Sequence, residues 1–421
     1  MIVVDDDAKG SAHPGPSSPP PPPTFEQSAE HFVLDFSAGA PPEFTLYEAN
    51  FFKLKNGWII SHDPHLNQDG EALYRFLLSQ ASSPPAYFLH CVGTHDETRT
   101  RTITSTNKHG RIKHRLESYT ETITDFDFTI DVGRNIPAAS GPVHWSVPDS
   151  EPAYRGRMVR EVEVAFNESI VLGKTRRRAN KHEIKMSKAW RDERTERGLP
   201  PWVGNDSQLH GQGDSMAMNE SGGLRSSMTL RHWADEYCAS RKHLKEFTYE
   251  KVVYGWNIDA LKAAIRTTIA STSYAGNVAV SFEYASNKIC VRPDNRLSRT
   301  LSNPWLKFLM FITLIYPIIW LYKRFHSRGG GRWEVCGGAY ALKQSVPLDE
   351  EQNPDSKSAQ YTGNSSSGGL TKVIGLKEGQ WLRQWEGSIK RAVTSRLQGP
   401  LTVPDPPNGV ALLLDGYADA E

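Results

Sequence analysis

One apolar stretch, PWLKFLMFITLIYPIIWLYKR at Pro304–Arg324, constrains this chain more than any other feature of its sequence. Its central part, Phe308–Tyr322, contains no charged residue, whereas 23% of the whole chain is charged. A helix over Phe308–Tyr322 is roughly 22 Å long, and one that starts at Trp305 is roughly 27 Å long, close to the thickness of the hydrocarbon core of a bilayer. The sequence therefore predicts a hydrophobic membrane helix over 305–322.

The ends of this segment carry the residues that membrane interfaces favour. Aromatic rings lie near both ends, and Lys323 and Arg324 close the segment abruptly. A single span is the favoured interpretation; a re-entrant or surface-lying segment bent at Pro317 and a buried core helix are the alternatives. The residues assigned to the membrane segment are Trp305, Phe308, Phe311, Tyr316, Pro317, Trp320 and Tyr322.

The charges around the segment do not fix its orientation. Basic residues follow it and also precede it, and both flanks therefore favour the cytoplasmic side. A single span places the flanks on opposite sides, whereas a re-entrant segment keeps both on one side. The N-terminus is acidic and has no apolar core of a secretory signal, so we expect the N-terminal region to be cytoplasmic and the protein to be located at a membrane.

Composition limits the other classes of function. The 421 residues carry a net charge of +1, which indicates no general affinity for nucleic acid. The four cysteines form no CxxC pair and are expected to be reduced thiols, and no cofactor is predicted. Residues 1–28 are a Pro-rich tail of disordered composition, in which Pro19–Pro23 could bind the aromatic groove of a protein partner.

Residues 29–300 are expected to form a soluble α+β region that is dominated by antiparallel sheet. Asn56-Gly57 predicts a hairpin, 70–80 a short amphipathic helix, and the runs between 87 and 133 an antiparallel meander. A helix over 258–271 and a hairpin over 277–292 follow, and a Gly- and Ser-rich insertion near 198–227 is expected to be flexible.

The C-terminal region, 323–421, combines a stretch of disordered composition at 345–371 with the best amphipathic helix of the chain at 379–397. The apolar stripe of this helix includes Trp381 and Leu397 and has basic residues on its border. The stripe fits three roles: docking on the soluble body, contact with a membrane interface, or binding of a partner helix.

A basic cluster is the candidate site for anionic lipid. Attachment to a membrane favours lipid over nucleic acid or an import signal, and an ordinary solvated face is the remaining alternative. The cluster consists of Lys174, Arg176, Arg177, Arg178, Lys181, Lys185 and Lys188.

Two groups of histidines have the side chains for metal binding or catalysis but lack a specific spacing. They are His62 and His65, and His90 and His95. Gly173-Lys174-Thr175 ends like a phosphate-binding loop, but Glu168 stands where that motif requires glycine. No catalytic residue and no metal ligand is therefore assigned from these motifs.

Three segments resemble a family of uncharacterised fungal membrane proteins: SHDPHLNQDGEALYRFLL, ETITDFDFTIDVG and NPWLKFLMFITLIYPIIWLYKRF. The resemblance implies a fungal origin and a membrane location, and it supplies no catalytic residue. The functional hypothesis is a membrane-tethered scaffold or adaptor that presents a β-rich domain to protein or lipid partners. The alternative is a membrane-bound enzyme of hydrolase type that uses the histidines.

Overall fold

The computed structural model describes residues 47–106, 112–138, 141–168, 171–204, 226–347 and 371–404. The Pro-rich tail, most of the Gly- and Ser-rich insertion and most of 345–371 lie outside these ranges. All elements below belong to one of the two compact units of the chain, Ala49–Glu421.

The described residues contain eight α-helices: α1 (Gly70–Ala81), α2 (Lys181–Glu196), α3 (Leu230–Ala239), α4 (Ile258–Ala270), α5 (Arg296–Ser302), α6 (Pro304–Ile312), α7 (Ile315–Phe325) and α8 (Glu378–Thr394). The strands are β1 (Phe52–Lys53), β2 (Ile59–Ser61), β3 (Ala86–Thr106), β4 (Ile112–Asp131), β5 (Val143–Ser146), β6 (Tyr154–Arg155), β7 (Glu161–Glu168), β8 (Val171–Arg178), β9 (Leu244–Tyr254), β10 (Asn277–Ala285), β11 (Lys288–Val291), β12 (Gly330–Ala341), β13 (Lys343–Pro347), β14 (Thr371–Gly375) and β15 (Gln398–Pro400). The predicted α+β class is confirmed.

The larger sheet has seven strands and is mixed. Its order is β1-β2-β11-β9-β12-β5, and β6 pairs with β12. Strand β9 lies in the middle, antiparallel to β11 and parallel to β12. Helices α1 and α3 cover one face, where Trp233, Tyr237, Phe247 and Trp333 are buried in one hydrophobic core.

Two lysines of β9 hold the C-terminal ends of the helices on this face. Lys245 Nζ donates hydrogen bonds to the carbonyls of Tyr237 (2.8 Å) and Ser240 (3.0 Å) at the end of α3. Lys251 Nζ donates to the carbonyls of Gln80 and Ser83, both at 2.7 Å, at the end of α1. Both lysines are buried, so these ammonium groups satisfy backbone carbonyls that a helix end leaves unpaired.

The smaller sheet, β10-β3-β4-β15, forms a second core with α4 and α8. Trp381, Trp385 and Ile389 of α8 are buried against this sheet and α4, and Trp381 lies 5.6 Å from Trp256 between ring centroids. The apolar face of the predicted 379–397 helix therefore packs on the body of the protein.

Three expectations about the strands need correction. The segments of the predicted meander between 87 and 133 merge into one long hairpin of β3 and β4. The predicted hairpin over 277–292 does turn at Ser286, but β10 joins the smaller sheet and β11 the larger one. The ends of 345–371, expected to be disordered, belong to the strand pair β13 and β14.

Lys251 makes the stability of the fold change with pH in the alkaline range. Burial lowers the pKa of Lys251 from 10.5 to about 8. Between these pH values the unfolded chain binds more protons than the folded one, so the free energy of unfolding rises with pH. Between pH 8 and pH 10.5 we expect the free energy of unfolding of the wild type to rise by on the order of 2 kcal/mol relative to that of Lys251→Met.

Urea unfolding at several pH values measures this difference. Lys390→Met is the matched control, because the Lys390 side chain is 40% exposed and pairs with Glu386 on the same helix. Parallel pH profiles for the wild type and Lys251→Met would contradict the prediction.

Candidate functional site

The apolar segment leaves and rejoins the same sheet. It lies between β11 and β12, and both of these strands pair with β9. It forms two helices, α6 and α7, whose axes are bent by 99°. Within the described ranges no single helix is long and apolar enough to cross a membrane. The two helices of this bent pair have the necessary length and apolar character only when they are taken together.

The corner between the helices lies at Thr313 and Leu314, and not at Pro317, where the re-entrant alternative placed a bend. Leu314 has a left-handed backbone with a φ of 57°, a conformation that costs an ordinary residue roughly 1–2 kcal/mol. Thr313 Oγ1 donates to the carbonyl of Leu309 at 3.0 Å and so satisfies one carbonyl at the end of α6. Pro317 stands in the first turn of α7, where its missing N–H breaks no helical hydrogen bond.

Most of the large apolar side chains of the pair face solvent. Ile319 is buried, whereas Trp305 is 77% exposed, Phe308 56% and Phe311 62%. Soluble monomers rarely expose a continuous apolar surface of this extent. The other exposed members are Leu306, Leu309, Ile312, Leu314, Ile315, Ile318, Trp320, Leu321 and Phe325. Of the residues predicted to contact the membrane, Pro317 is also exposed, and Tyr316 and Tyr322 are half-buried.

The base of the pair is fixed to the body by hydrogen bonds. Tyr322 of α7 bonds through its hydroxyl to His243 Nδ1 at 2.8 Å, and Arg324 donates to the carbonyl of Met158. Asn303 caps α6 by accepting a hydrogen bond from the N–H of Trp305. These contacts hold the exposed apolar surface at a fixed place on the protein.

Positive charge surrounds the base. Between residues 292 and 332 the single acidic residue is Asp294. The ion pairs of Arg292 with Glu246 (3.2 Å), of Arg299 with Asp294 (2.6 Å) and of Arg332 with Glu334 neutralise part of this charge. Although burial alone would raise it, Arg292 lowers the pKa of Glu246. The basic residues, called here the basic collar, are Arg292, Arg296, Arg299, Lys307, Lys323, Arg324, Arg328 and Arg332.

Two arginines of the basic cluster predicted as a lipid site are held in ion pairs. Arg176 forms ion pairs with Glu236 (2.6 Å) and Glu163 (3.1 Å), and Arg177 pairs with Glu183 at 2.6 Å. These ion pairs raise the pKa of both arginines against the effect of burial. The exposed members are Arg176, Arg177 and Arg178 on β8 and Lys181, Lys185 and Lys188 on α2; the side chain of Lys174 lies outside the described part.

The predicted histidines do not form one site. His90 Nε2 lies 2.7 Å from Asp127 on the smaller sheet, and His95 Nδ1 lies 2.6 Å from Asp125. His65 lies 3.7 Å from Asp69 at the start of α1. Among the described residues no group of three or more His, Cys, Asp or Glu side chains is placed to hold a metal ion.

His62 has a different set of partners. Its Nδ1 lies 3.1 Å from the carbonyl of Pro293, and its Nε2 lies 3.0 Å from Ser302 Oγ. Burial lowers the pKa of His62, which favours the neutral imidazole. Ser302 Oγ also accepts from Arg292 at 2.8 Å and lies 2.9 Å from the carbonyl of Ser298, so its single proton is donated either to that carbonyl or to His62 Nε2. Sequence reasoning singled out His62 but missed Ser302, which is far from it along the chain.

No family model, curated protein or solved structure matches this chain. The resemblance to fungal membrane proteins therefore stays a prediction.

The left-handed backbone at Leu314 gives a direct test of the corner. Asparagine tolerates this conformation and valine does not. We expect Leu314→Asn to keep or tighten the corner and Leu314→Val to loosen it by roughly 1 kcal/mol. Hydrogen exchange of the backbone amides at positions 313 and 314 measures the effect. We expect exchange about fivefold faster in the valine variant than in the asparagine variant. Equal exchange in both variants would show that the corner is not held by its backbone conformation.

Proposed function

We propose that α6 and α7 insert into one leaflet of a membrane and tether the protein there as a scaffold. The observation that carries this proposal is the exposed apolar surface of the pair, which is fixed at its base and bordered by the basic collar. Apolar side chains that are costly in water gain free energy in hydrocarbon, and a basic border suits anionic headgroups.

The lengths of the helices favour insertion into one leaflet over a span. Helix α7 measures roughly 16 Å and α6 roughly 14 Å, about half of the hydrocarbon core. A span would place β11 and β12 on opposite sides of the membrane, although both pair with β9. The re-entrant interpretation of the sequence is therefore preferred to the single span, with both flanks on one side.

The long β3–β4 hairpin supports the scaffold part of the proposal. Strand β10 pairs with β3 only up to Thr94, and β15 pairs with β4 only over Asp127–Thr129. Beyond these points the two strands continue together to Thr106 and Ile112, and no described strand pairs with their outer edges. Unpaired edges of this kind can accept a strand from a partner protein.

Binding to vesicles tests the tether. The full-length chain should float with phosphatidylcholine vesicles, and Phe311→Ser/Ile318→Ser should weaken binding at least about 100-fold, because two large apolar groups no longer enter hydrocarbon. Ile112→Ser/Leu116→Ser is the matched control, since Ile112 and Leu116 are as exposed (62% and 73%) as Phe311 and Ile318 (62% and 67%). Equal loss in both double variants would argue against the proposed tether.

Protease protection tests whether both flanks of the apolar pair lie on the same side of the membrane. With the chain bound to sealed vesicles from outside, tags inserted before Ala49 and after Pro400 should both be cleaved. Cleavage of one tag with protection of the other would show a span and refute insertion into one leaflet.

A hydrolase is the second candidate, and the contact between His62 and Ser302 is the observation that favours it. A neutral histidine held through one nitrogen and facing a serine hydroxyl with the other is the arrangement of a general base and its nucleophile. Ser302 immediately precedes the apolar pair, so a substrate drawn from the membrane would lie close to it.

A fluorophosphonate probe distinguishes this candidate from the scaffold. If His62 and Ser302 are catalytic, the probe labels the wild type at Ser302, and His62→Ala abolishes labelling while the protein stays folded. Absence of labelling in the folded wild type would refute a hydrolase that uses Ser302 as its nucleophile.

A further inference from the structure

A cavity lies beside the base of the apolar pair. Its volume of about 350 Å³ falls within the usual range of small-ligand sites. The loop after β6 forms one wall, the C-terminal end of α3 a second, and Trp333 of β12 a third. None of the four histidines singled out in the sequence lines it.

The cavity and the apolar pair share structural elements. Met158, one residue beyond the cavity wall, accepts the hydrogen bond of Arg324 from α7. Gly331 of β12 packs so closely that an added Cβ would lie 2.7 Å from Lys242 and 2.8 Å from the carbonyl of Gly156, both in the cavity lining. The cavity is therefore held at the level of the basic collar, where lipid headgroups would lie if α6 and α7 insert.

The lining carries more positive than negative charge. Four cationic side chains, Arg155, Arg157, Arg176 and Lys242, face two carboxylates, Glu161 and Glu236. Two of the arginines serve the fold. Arg155 is buried and donates to backbone carbonyls, and Arg176 is held by both oxygens of Glu236, at 2.8 and 2.6 Å.

Arg157 and Lys242 are the cations available to a ligand. Arg157 has a 70% exposed side chain and, among the described residues, one ion pair, with Glu161 at 3.1 Å. Lys242 donates to the carbonyl of Gly156 and forms no ion pair with a described residue. Burial lowers the pKa of Lys242, so its charged form is under-compensated and would be stabilised by a bound anion.

The chemistry of the lining indicates the class of ligand. Arginine and lysine together bind phosphate oxygens, the first by paired N–H groups and the second as a point charge. Glu236 is partly exposed, and its oxygens have lone pairs beyond those that Arg176 uses, so it adds acceptors that a bare phosphate cannot use but that hydroxyl groups can. A ligand with phosphate at one end and hydroxyls at the other satisfies both parts of the lining.

We propose that this cavity binds a phosphorylated polyol, presented as the headgroup of a lipid in the leaflet that α6 and α7 enter. The lipid part of this inference rests on the proposed function. The cavity would add selectivity for one headgroup to an attachment that the apolar pair provides without selectivity.

Three kinds of vesicle test the inference with the full-length chain: phosphatidylcholine alone, and phosphatidylcholine with either phosphatidylserine or phosphatidylinositol phosphate at matched surface charge. The wild type should prefer the phosphatidylinositol phosphate vesicles. Arg157→Gln/Lys242→Gln should lose this preference, about thirtyfold for two basic contacts, and keep its binding to phosphatidylcholine.

Arg75→Gln/Lys390→Gln is the matched control, because each of these residues pairs with a glutamate four residues away on its own helix. Equal affinity of the wild type for the two anionic vesicles, or equal loss in both double variants, would overturn the inference. Arg157→Gln alone, at an exposed position, gives a smaller loss of the same sign if the double variant does not fold.

Thermal unfolding with soluble inositol phosphate separates this inference from the proposed function. A rise in Tm that the double variant lacks shows the cavity to be occupied whether or not the chain binds vesicles. Such a rise without vesicle binding refutes the tether, and with it the lipid part of the inference, but leaves the site for a polyol phosphate. A third outcome is a rise in Tm together with binding to phosphatidylcholine vesicles and no preference among the three kinds of vesicle. This outcome would indicate a free polyol phosphate as the ligand and would overturn the headgroup assignment.

Discussion

The position of β9 between β11 and β12 is the constraint on which the rest of the structure depends. Because both flanks of the apolar segment pair with the same strand, the segment must begin and end at one edge of the body. That requirement fixes the base of α6 and α7, brings the basic collar together and places the cavity beside it. The membrane proposal, its sidedness and the headgroup inference all follow from this one strand order.

The same strand organises the larger core. Lys245 and Lys251 extend from β9 to the C-terminal ends of α3 and α1, where glycine is the usual terminating residue. Buried ammonium groups take the place of local caps, which ties the ends of two helices to a strand far away in the sequence. Loss of either lysine would leave backbone carbonyls unsatisfied inside the protein.

The sequence was sufficient where local patterns decide the structure. Leu261, Ile265 and Ile269 define the buried face of α4 by their spacing, and Asn56-Gly57 marks the β1–β2 turn. It was insufficient where pairing is long-range: the turn at Ser286 looks like a hairpin because nothing local shows that β10 and β11 join different sheets. Hydropathy measured how apolar 305–322 is, but it carried no signal for the left-handed residue that breaks the segment at Leu314.

The candidate site shows the same division. Composition identified the apolar residues and the basic flanks, whereas the contact between His62 and Ser302 and the lining of the cavity depend on residues that only the fold brings together. Arg176, predicted as a lipid ligand, forms an ion pair with Glu236, and a run of basic residues in the sequence does not show which of them have acidic partners nearby.

The strand order also bears on how the protein is made. Strand β12 follows the apolar segment in the chain, so the larger sheet cannot close until the ribosome has released residues beyond Ala341. Until then α6 and α7 have no fixed base, and an early insertion as a straight helix would carry β12 away from β9. The proposed tether therefore requires that β12 pair with β9 before the apolar pair enters a membrane.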